Sequence, residues 1–339
     1  MLAACAPPGP PTNDWSLVVY RASPPAFVEL NDDLVVQDEV PFSAPTDCAV
    51  QAAYPAPRGP TLAVELGCPF GQAVVLLNLD TQAAMQPITT SDSHFLAWSK
   101  EGDALYLRID SINRPRIVRS SLGGDLHELK LSELSYDLAP APHDDEFVFS
   151  LSRGMGHGSE MWRGRDSGEG LRMVASDPAA YLAFARWSPD GREIAYLKIP
   201  DTAVPFSVGE LWVMDANGSN GRRLAEADAG HGFAPAWSPD GTQIAFVVRE
   251  NRDDPEADVT SAALVSNIHL ADTRNGKVAS IRKFQSARVE APQWKPDGSA
   301  LAFIARVDDR MTAYVVQTES GDVMAVPVQG TCCVGWVRR

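Results

Sequence analysis

One short motif occurs three times in the chain, as Phe184-Ala-Arg-Trp-Ser-Pro-Asp-Gly-Arg-Glu-Ile-Ala-Tyr196, as Phe233-Ala-Pro-Ala-Trp-Ser-Pro-Asp-Gly-Thr-Gln-Ile-Ala-Phe246 and as Ala291-Pro-Gln-Trp-Lys-Pro-Asp-Gly-Ser-Ala-Leu-Ala-Phe303. In each copy a strand is predicted to end at the tryptophan. Proline then sets φ and glycine accepts a positive φ, so the Pro-Asp-Gly segment is typical of a tight turn. The apolar run after the turn predicts a second strand, antiparallel to the first.

Two further strands are predicted after the motif. Following the first copy, Glu210-Leu-Trp-Val-Met-Asp215 predicts a third strand and Arg222-Arg-Leu224 a short fourth. Such a sheet is apolar on both faces, and a single unit cannot bury those faces by itself. Four short antiparallel strands between identical neighbours are the arrangement of β-propeller blades.

Weaker copies extend the repeat over nearly the whole chain. The anchor positions, which hold the tryptophan or its substitute, are Tyr54, Trp98, Ala141, Trp187, Trp237, Trp294 and Trp336. Their spacing is 42 to 57 residues, and the longest interval contains the acidic insertion 249–258, which we expect to be an exposed loop. We therefore predict seven blades, with six or eight as alternatives because the copy around Asp137 is degenerate.

The two ends of the chain complement each other. Only one strand can form at the last anchor, in Gly335-Trp-Val-Arg-Arg339, whereas residues 16–21, 26–30 and 34–37 predict a second, a third and a fourth strand. Pairing these ends would close the ring and remove exposed sheet edges. The predicted fold is all-β: one seven-bladed propeller of four-stranded antiparallel blades over residues 15–339, closed by pairing of the N- and C-terminal strands.

The motif and the Leu-Trp-Val-Met-Asp strand that follows it resemble the TolB-type β-propeller repeat. The resemblance covers nearly all of the chain in strong or weak form and implies the propeller fold. Propellers of this kind serve as periplasmic scaffolds, as accessory domains of serine peptidases and as some polysaccharide lyases. The resemblance therefore leaves the activity open.

The N-terminal segment and the net charge bear on compartment and partners. Leu2-Ala-Ala-Cys5 resembles the lipobox of bacterial lipoproteins, and the proline-rich stretch after it suits a tether. We interpret residues 1–14 as a lipobox remnant and tether with lipidation at Cys5; a chance match in an alanine-rich start is the alternative.

The chain has 29 basic and 44 acidic residues, a formal charge of −15, which disfavours nucleic acid as a partner. No apolar run approaches the roughly 20 residues of a membrane span, so membrane contact is expected through the lipid alone.

The other four cysteines form two pairs in the sequence. Cys48 and Cys68 lie almost symmetrically about the turn at Arg58-Gly59, so we expect them to face each other on paired strands and form a disulfide. Cys332 and Cys333 are adjacent, and could form a vicinal disulfide or remain thiols. A metal cluster of these four is disfavoured because no Cys-x-x-Cys spacing is present.

Candidate functional residues are sought where the copies differ. No Gly-x-Ser-x-Gly nucleophile elbow occurs. The tryptophans, Asp190, Asp240 and Asp297 recur in every good copy, so we assign them to blade packing and turn hydrogen bonds. Polar residues four to six positions before each anchor should meet at one mouth of the channel, as in a ligand pocket. They are Asp92, His94, Tyr136, Asp137, Tyr181, His231, Arg288 and Glu290. The alternative is a water-filled, hydrogen-bonded channel mouth.

These observations favour a non-catalytic lipoprotein of the bacterial cell envelope, extracytoplasmic and without a cofactor. It would be a monomer or part of a hetero-complex and would bind a protein or a glycan. The alternative is a glycan lyase or hydrolase that uses a divalent metal at the channel mouth. Oligogalacturonate lyases have seven blades and a metal-binding histidine cluster, although their histidines do not match these positions. A sensor, or an accessory propeller detached from a peptidase, is a third, weaker class.

Overall fold

The computed structural model describes residues 15–69, 71–86, 92–110, 115–165, 167–228, 234–281, 284, 287–307 and 310–338. Within these residues the chain folds into seven four-stranded antiparallel sheets. In six of the seven pairs of neighbouring sheets the first strands contact each other, so these strands line a central channel. The predicted seven-bladed propeller is therefore confirmed.

Six blades use four consecutive strands, and the remaining blade combines both ends of the chain. Blade one contains β28 (Thr331–Arg338), β1 (Trp15–Ala22), β2 (Pro25–Leu30) and β3 (Val36–Pro41). Blade two contains β4 (Ala49–Pro55), β5 (Thr61–Cys68), β6 (Gly71–Asn78) and β7 (Ala84–Met85). Blade three contains β8 (Asp92–Trp98), β9 (Ala104–Asp110), β10 (Arg116–Ser121) and β11 (Leu126–Glu128).

The other four blades follow in chain order. Blade four contains β12 (Ser135–Pro140), β13 (Glu146–Ser152), β14 (Ser159–Arg165) and β15 (Arg172–Asp177). Blade five contains β16 (Ala180–Trp187), β17 (Glu193–Pro200), β18 (Val208–Asp215) and β19 (Arg222–Asp228). Blade six contains β20 (Ala236–Trp237), β21 (Gln243–Arg249), β22 (Ser266–Asp272) and β23 (Val278–Ser280). Blade seven contains β24 (Ala287–Trp294), β25 (Ala300–Val307), β26 (Arg310–Gln317) and β27 (Val323–Ala325).

The ring closes through β28, which pairs antiparallel with β1. Trp15 lies opposite Arg338 and Leu17 opposite Trp336. The predicted pairing of the N- and C-terminal strands is therefore confirmed. No helix among the described residues is long and apolar enough to cross a membrane.

The outer strand of blade one begins later than the sequence indicated. The sequence predicts a strand over residues 34–37, whereas β3 spans Val36–Pro41. The side chain of Asn31 accepts hydrogen bonds from the amides of Asp33 and Val35, and Leu34 has φ +57°. This asparagine-led turn holds residues 31–35 out of the sheet, because an Asx turn offers the backbone an alternative to strand pairing.

The motif tryptophans join neighbouring blades. Each of five indole N–H groups donates to a backbone carbonyl on the first strand of the preceding blade, at 2.9 to 3.1 Å. The pairs are Trp98 with Tyr54, Trp187 with Ala139, Trp237 with Arg186, Trp294 with Ala236, and Trp336 with Gln293. Apolar clusters also fill the space between adjacent blades, so the repeat residues maintain the ring.

The motif aspartates organise the turn. Ser188 Oγ donates to Asp190 at 2.7 Å, and the amide of Arg192 donates to the same carboxylate at 3.1 Å. Hydrogen bonding to Ser188 is the main reason why the pKa of Asp190 lies below its usual value. Gly191, at φ +70°, completes the turn. The side chain is therefore used within its own hairpin.

One motif copy carries Lys295 in place of the serine, and this lysine strengthens the ring closure. Its ammonium group contacts Asp32 at 2.7 Å and Asp297 at 3.2 Å, although the side chain is only 3% exposed. It also lies 5.7 Å from the ring centre of Trp336. Asp32 and Trp336 belong to blade one, so a buried charge joins the last repeat to the first.

Replacing Trp187 by phenylalanine should lower the free energy of unfolding by about 1–3 kcal/mol, because the buried carbonyl of Ala139 loses its partner. Trp212→Phe is a matched control, since the Trp212 indole donates to Glu210 on its own strand. Both indoles also have a cation over the ring, Arg163 for Trp187 and Lys198 for Trp212. Urea unfolding of the two variants measures the difference, and equal losses would contradict the inter-blade role.

Candidate functional site

The sequence-predicted mouth residues lie on first strands. Asp92 and His94 are on β8, Tyr136 and Asp137 on β12, Tyr181 on β16, and Arg288 and Glu290 on β24. All seven occupy the first half of their strand, so the structure brings them to one end of the channel. His231 and Cys5 lie outside the described residues.

Among the residues that the structure describes, a register shift interrupts every first strand except the short β20. The shifts fall between Val50 and Ala52, Phe95 and Ala97, Ser135 and Asp137, Ala183 and Arg186, and Glu290 and Gln293, and opposite Tyr20 in β28. A β-bulge bends the strand and redirects side chains. Side chains near these bulges therefore deviate from strict alternation between two faces.

His94 lies among three carboxylates. Its Nε2 is 3.5 Å from Asp92 and 3.4 Å from Asp110, and its Nδ1 is 3.7 Å from Glu65. Asp92 and Asp110 are directly opposite each other on β8 and β9, a like-charge pair that is unfavourable without a cation. His94 lies beside both of them, and Arg108 Nε approaches Asp110 at 2.8 Å.

Two members of this cluster were missed by sequence reasoning. Glu65 and Asp110 lie on second strands, outside the window of four to six positions before each anchor. Asp110 could have been found by counting across the hairpin from Asp92. Glu65 belongs to the preceding blade, so only the packing of blade two on blade three brings it to His94.

Burial changes the acidity of the cluster on the side of blade two. The pKa of Glu65 is raised, chiefly by burial; the hydrogen bond from the Tyr54 hydroxyl, at 3.2 Å, and the nearby His94 oppose that rise. The pKa of Tyr54 is also raised, mainly by burial, so its phenol remains a donor. The Tyr54 ring stacks on Phe95 with centroids 4.2 Å apart. Packing between blades two and three therefore fixes the carboxylate.

Glu65→Gln should increase stability relative to wild type progressively as the pH rises. A carboxyl group with a raised folded-state pKa contributes stability that is complete below the unfolded pKa and is lost as the pH rises through the folded pKa. The stability difference between the variant and wild type should therefore develop as the pH rises above 4.5, the ordinary pKa of this carboxyl group. Urea midpoints at several pH values between about 3 and 8 measure it.

Glu39→Gln provides a control of opposite sign. The Arg21 side chain hydrogen-bonds the exposed Glu39 and lowers its pKa, so the stability that this pair contributes is lost as the pH falls through that lowered pKa. If Glu65→Gln showed no pH dependence relative to wild type, Glu65 would be ionised without cost and the assigned burial effect would be wrong.

The mouth residues of blades four and five are used for contacts between blades. The hydroxyl of Tyr136 donates to the Leu182 carbonyl at 2.7 Å. The buried carboxylate of Asp137 accepts from the amide of Ala185 at 3.0 Å, next to Phe184, which has φ +57°. The Tyr136 ring meets Tyr181 edge to face. This part of the mouth holds the bulge of β16 in place.

The mouth residues of blade seven contact the segment of blade six that follows the acidic insertion. Arg288 pairs with Glu290 at 2.9 Å and donates to the Ser261 carbonyl at 3.4 Å. Ser261 begins the short 3₁₀ helix Ser261–Ala263. The loop 250–265 of blade six therefore extends to the channel mouth.

The expectation of an exposed loop at 249–258 is wrong for part of this segment. The Arg249 side chain is completely buried and lies 2.8 Å from Asp258. It also donates to the carbonyls of Asp254 and Phe206, at 2.9 and 2.7 Å. Ala257 is buried as well. A buried guanidinium requires many acceptors, and the loop folds around Arg249 to supply them.

Loops between second and third strands lie at the same end as the mouth, because strand direction alternates within a blade. We call residues 153–158, 201–207 and 250–265 of blades four, five and six the loop ridge. The amide of Gly158 donates to Asp201 at 2.9 Å, and the amide of Phe206 donates to the Asp258 carbonyl at 3.1 Å. Adjacent loops are therefore joined by hydrogen bonds.

The loop ridge exposes apolar side chains and negative charge. Met155 is 89% exposed, Val259 66% and Val204 41%. The ridge contains six carboxylates and two arginines. Apolar side chains surrounded by charge at a fixed surface are typical of a protein interaction site.

The described residues contain no group of three or more His, Cys, Asp or Glu side chains arranged to hold a metal ion. Around His94, Asp92 and Asp110 approach Nε2, whereas Glu65 approaches Nδ1 from the other side of the imidazole ring.

Seven four-stranded blades form a closed ring, and indole N–H groups connect neighbouring blades, so the fold is a seven-bladed β-propeller. Residues 166–334 match the family model described as the TolB beta propeller domain. The chain is a TolB-type β-propeller.

Solved structures support the same fold. A putative TolB from Agrobacterium tumefaciens is 20% identical with a TM-score of 0.54, covering 76% of this chain and 90% of that one. TolB from Acinetobacter baumannii is 15% identical with a TM-score of 0.54, and the match covers 93% of this chain and 79% of that one. An oligogalacturonate lyase in complex with manganese is 15% identical with a TM-score of 0.61, and the match covers 92% of this chain and 83% of that one. At these identities the likeness concerns the fold alone. No curated protein matches the chain.

Proposed function

We propose that this protein is a non-catalytic propeller of the bacterial cell envelope that binds a partner protein through the loop ridge. The observation that carries the proposal is the ridge itself, in which hydrogen bonds join three loops and hold Met155, Val204 and Val259 exposed. Binding to a preformed surface requires little ordering of loops.

The chemistry of the mouth agrees with this proposal. Tyr136 and Asp137 are used in contacts between blades, and Arg288 is paired with Glu290. These groups stabilise the end of the ring on which the ridge stands. The carboxylates of the ridge favour a partner with basic residues around an apolar anchor.

Site-specific photocrosslinking in cells tests the proposal. A photoreactive amino acid at position 155 or 259 should give a discrete adduct with one protein. Met173 is a matched control, because it is a 50% exposed methionine on the outer strand of blade four. Met155→Asp combined with Val259→Asp should abolish the adduct formed from position 204 without changing the urea midpoint.

Two results would overturn the proposal. Equal crosslinking from positions 155 and 173 would show non-specific contact. Absence of adducts from every ridge position, together with binding of purified protein to an envelope glycan, would assign the surface to a carbohydrate.

The compartment belongs to the same proposal. Leu2-Ala-Ala-Cys5 supports lipidation at Cys5 and anchoring to an envelope membrane, and the cysteine pair 48 and 68 suits an oxidising compartment. Metabolic labelling with palmitate tests the anchor. Label in wild type and none in Cys5→Ser is expected, whereas equal label in both would exclude lipidation at this residue.

A metal-dependent glycan lyase or hydrolase is the second candidate, and His94 among three carboxylates favours it. Elemental analysis after incubation with Mn²⁺ would distinguish the two functions. One equivalent of bound metal in wild type, lost in His94→Ala, together with turnover of oligogalacturonides, would replace the binding proposal.

A further inference from the structure

The adjacent cysteines near the C-terminus lie at the bulge of β28. Val19 pairs with Val334 and Arg21 with Thr331, so Tyr20 alone faces both Cys332 and Cys333. Consecutive side chains of a regular strand point to opposite faces, whereas a bulge redirects one of them. The two Sγ atoms are consequently 2.6 Å apart.

The two thiols have different surroundings. Cys333 is 5% exposed, whereas Cys332 is half-buried. Burial raises the pKa of the Cys333 thiol, and Cys332 and Glu290 raise it further. The thiolate is the nucleophilic form of cysteine, so Cys333 is the weaker nucleophile in the free protein. An incoming reagent therefore reaches Cys332 first.

The surroundings of the pair indicate the size of that reagent. Both cysteines lie on β28, the first strand of blade one. First strands line the channel, so the pair belongs to the channel wall. A small molecule can enter a channel that a folded protein cannot.

We propose that Cys332 and Cys333 form a thiol–disulfide exchange site that cycles between a dithiol and a vicinal disulfide, with a small organic disulfide as co-substrate. The proposal is independent of the loop ridge and of any partner. It assigns to this chain a redox reaction at the strand that closes the ring.

The reaction balances in two steps. The Cys332 thiolate attacks one sulfur of the disulfide, forms a mixed disulfide and releases the first thiolate. Cys333 then gives its proton to the released thiolate and attacks Cys332 Sγ, which expels the second thiolate; that thiolate takes up the proton that Cys332 lost in the first step. Two electrons and two protons pass from the protein to the co-substrate.

Glutathione disulfide is the probe for the test. The full-length protein is incubated in glutathione buffers of increasing oxidation, quenched with acid, alkylated and mapped by peptide mass. In wild type, Cys332 and Cys333 should lose alkylation together and retain no glutathione. The Cys48–Cys68 disulfide is the internal control and should stay bridged throughout.

Two single variants separate the roles of the cysteines. In Cys333→Ser the exchange reaction should stop at the mixed disulfide, so glutathione should accumulate on Cys332. Cys332→Ser should acquire glutathione on Cys333 at least tenfold more slowly. Serine is close to cysteine in size, and urea midpoints near the wild-type value verify that both variants are folded.

Several results would overturn the proposal. Equal rates of glutathionylation in the two variants would show that the two thiols do not differ in reactivity. Persistent alkylation of both residues in oxidised buffer, or a bridge from either one to Cys48 or Cys68, would exclude the vicinal pair. If a variant fails to fold, the wild type still decides, since brief alkylation must modify Cys332 before Cys333.

Discussion

A chain that ends at Gly330, and therefore lacks β28, is expected not to form the closed propeller. β28 supplies the first strand of blade one, and its Val334, Trp336 and Val337 are buried. Each large apolar side chain contributes about 1.5–3 kcal/mol when buried. Their sum approaches the net stability of roughly 5–15 kcal/mol that is typical of a folded domain. The truncation also leaves the edge of β1 unpaired, which favours aggregation.

Urea unfolding followed by tryptophan fluorescence and gel filtration measures this effect. A chain that ends at Val337 is the control, because it keeps Leu17 paired with Trp336. A permuted chain gives a sharper test: residues 331–338 are placed before Trp15 through a short turn, since Arg338 lies opposite Trp15. The permuted chain should fold. A truncated chain that remained monomeric with an unchanged midpoint would show that ring closure is dispensable.

Replacing Cys48 and Cys68 by alanine should lower the free energy of unfolding by about 3 kcal/mol. The two residues are 20 positions apart, and a crosslink across a loop of that length restricts the unfolded chain by roughly this amount. The bridge joins β4 and β5 next to the pair Ala49 and Gly67, so it strengthens blade two at its first hairpin.

Denaturation of the double variant, compared with untreated and fully reduced wild type, checks this value. Reduced wild type and the double variant should unfold at similar urea concentrations, well below oxidised wild type. Cys332→Ser keeps the bridge and should change the midpoint much less. If the double variant matched oxidised wild type, the disulfide would contribute nothing to stability.

Most of the fold follows from local pattern. The motif turns, the apolar runs and the spacing of the anchors predict the strands, because each hairpin is set by residues next to one another in the chain. Where prediction was wrong, a specific contact intervened. Asn31 holds a turn that delays β3, and Arg249 buries itself and folds the acidic insertion around its guanidinium.

The candidate site was predictable only as a position along each first strand. Copy-to-copy differences identify Asp92 and His94, but the carboxylates of Glu65 and Asp110 reach His94 from strands outside that window. The adjacent cysteines are visible in the sequence, but the bulge opposite Tyr20 that brings their sulfur atoms together is not.

The Trp-Ser-Pro-Asp-Gly copies, together with the complementary strands at the two ends, were by themselves enough to predict the blades and the closure of the ring, whereas the structure decided between seven blades and the alternatives of six or eight. Each copy builds a hairpin from neighbouring residues, and a ring of such units has few ways to bury both faces of every sheet. The tertiary structure alone decided which polar groups meet, how the ridge loops are joined, and that Cys332 and Cys333 share one side of their strand. Those contacts depend on register shifts and on packing between blades, and both connect residues that are distant in sequence.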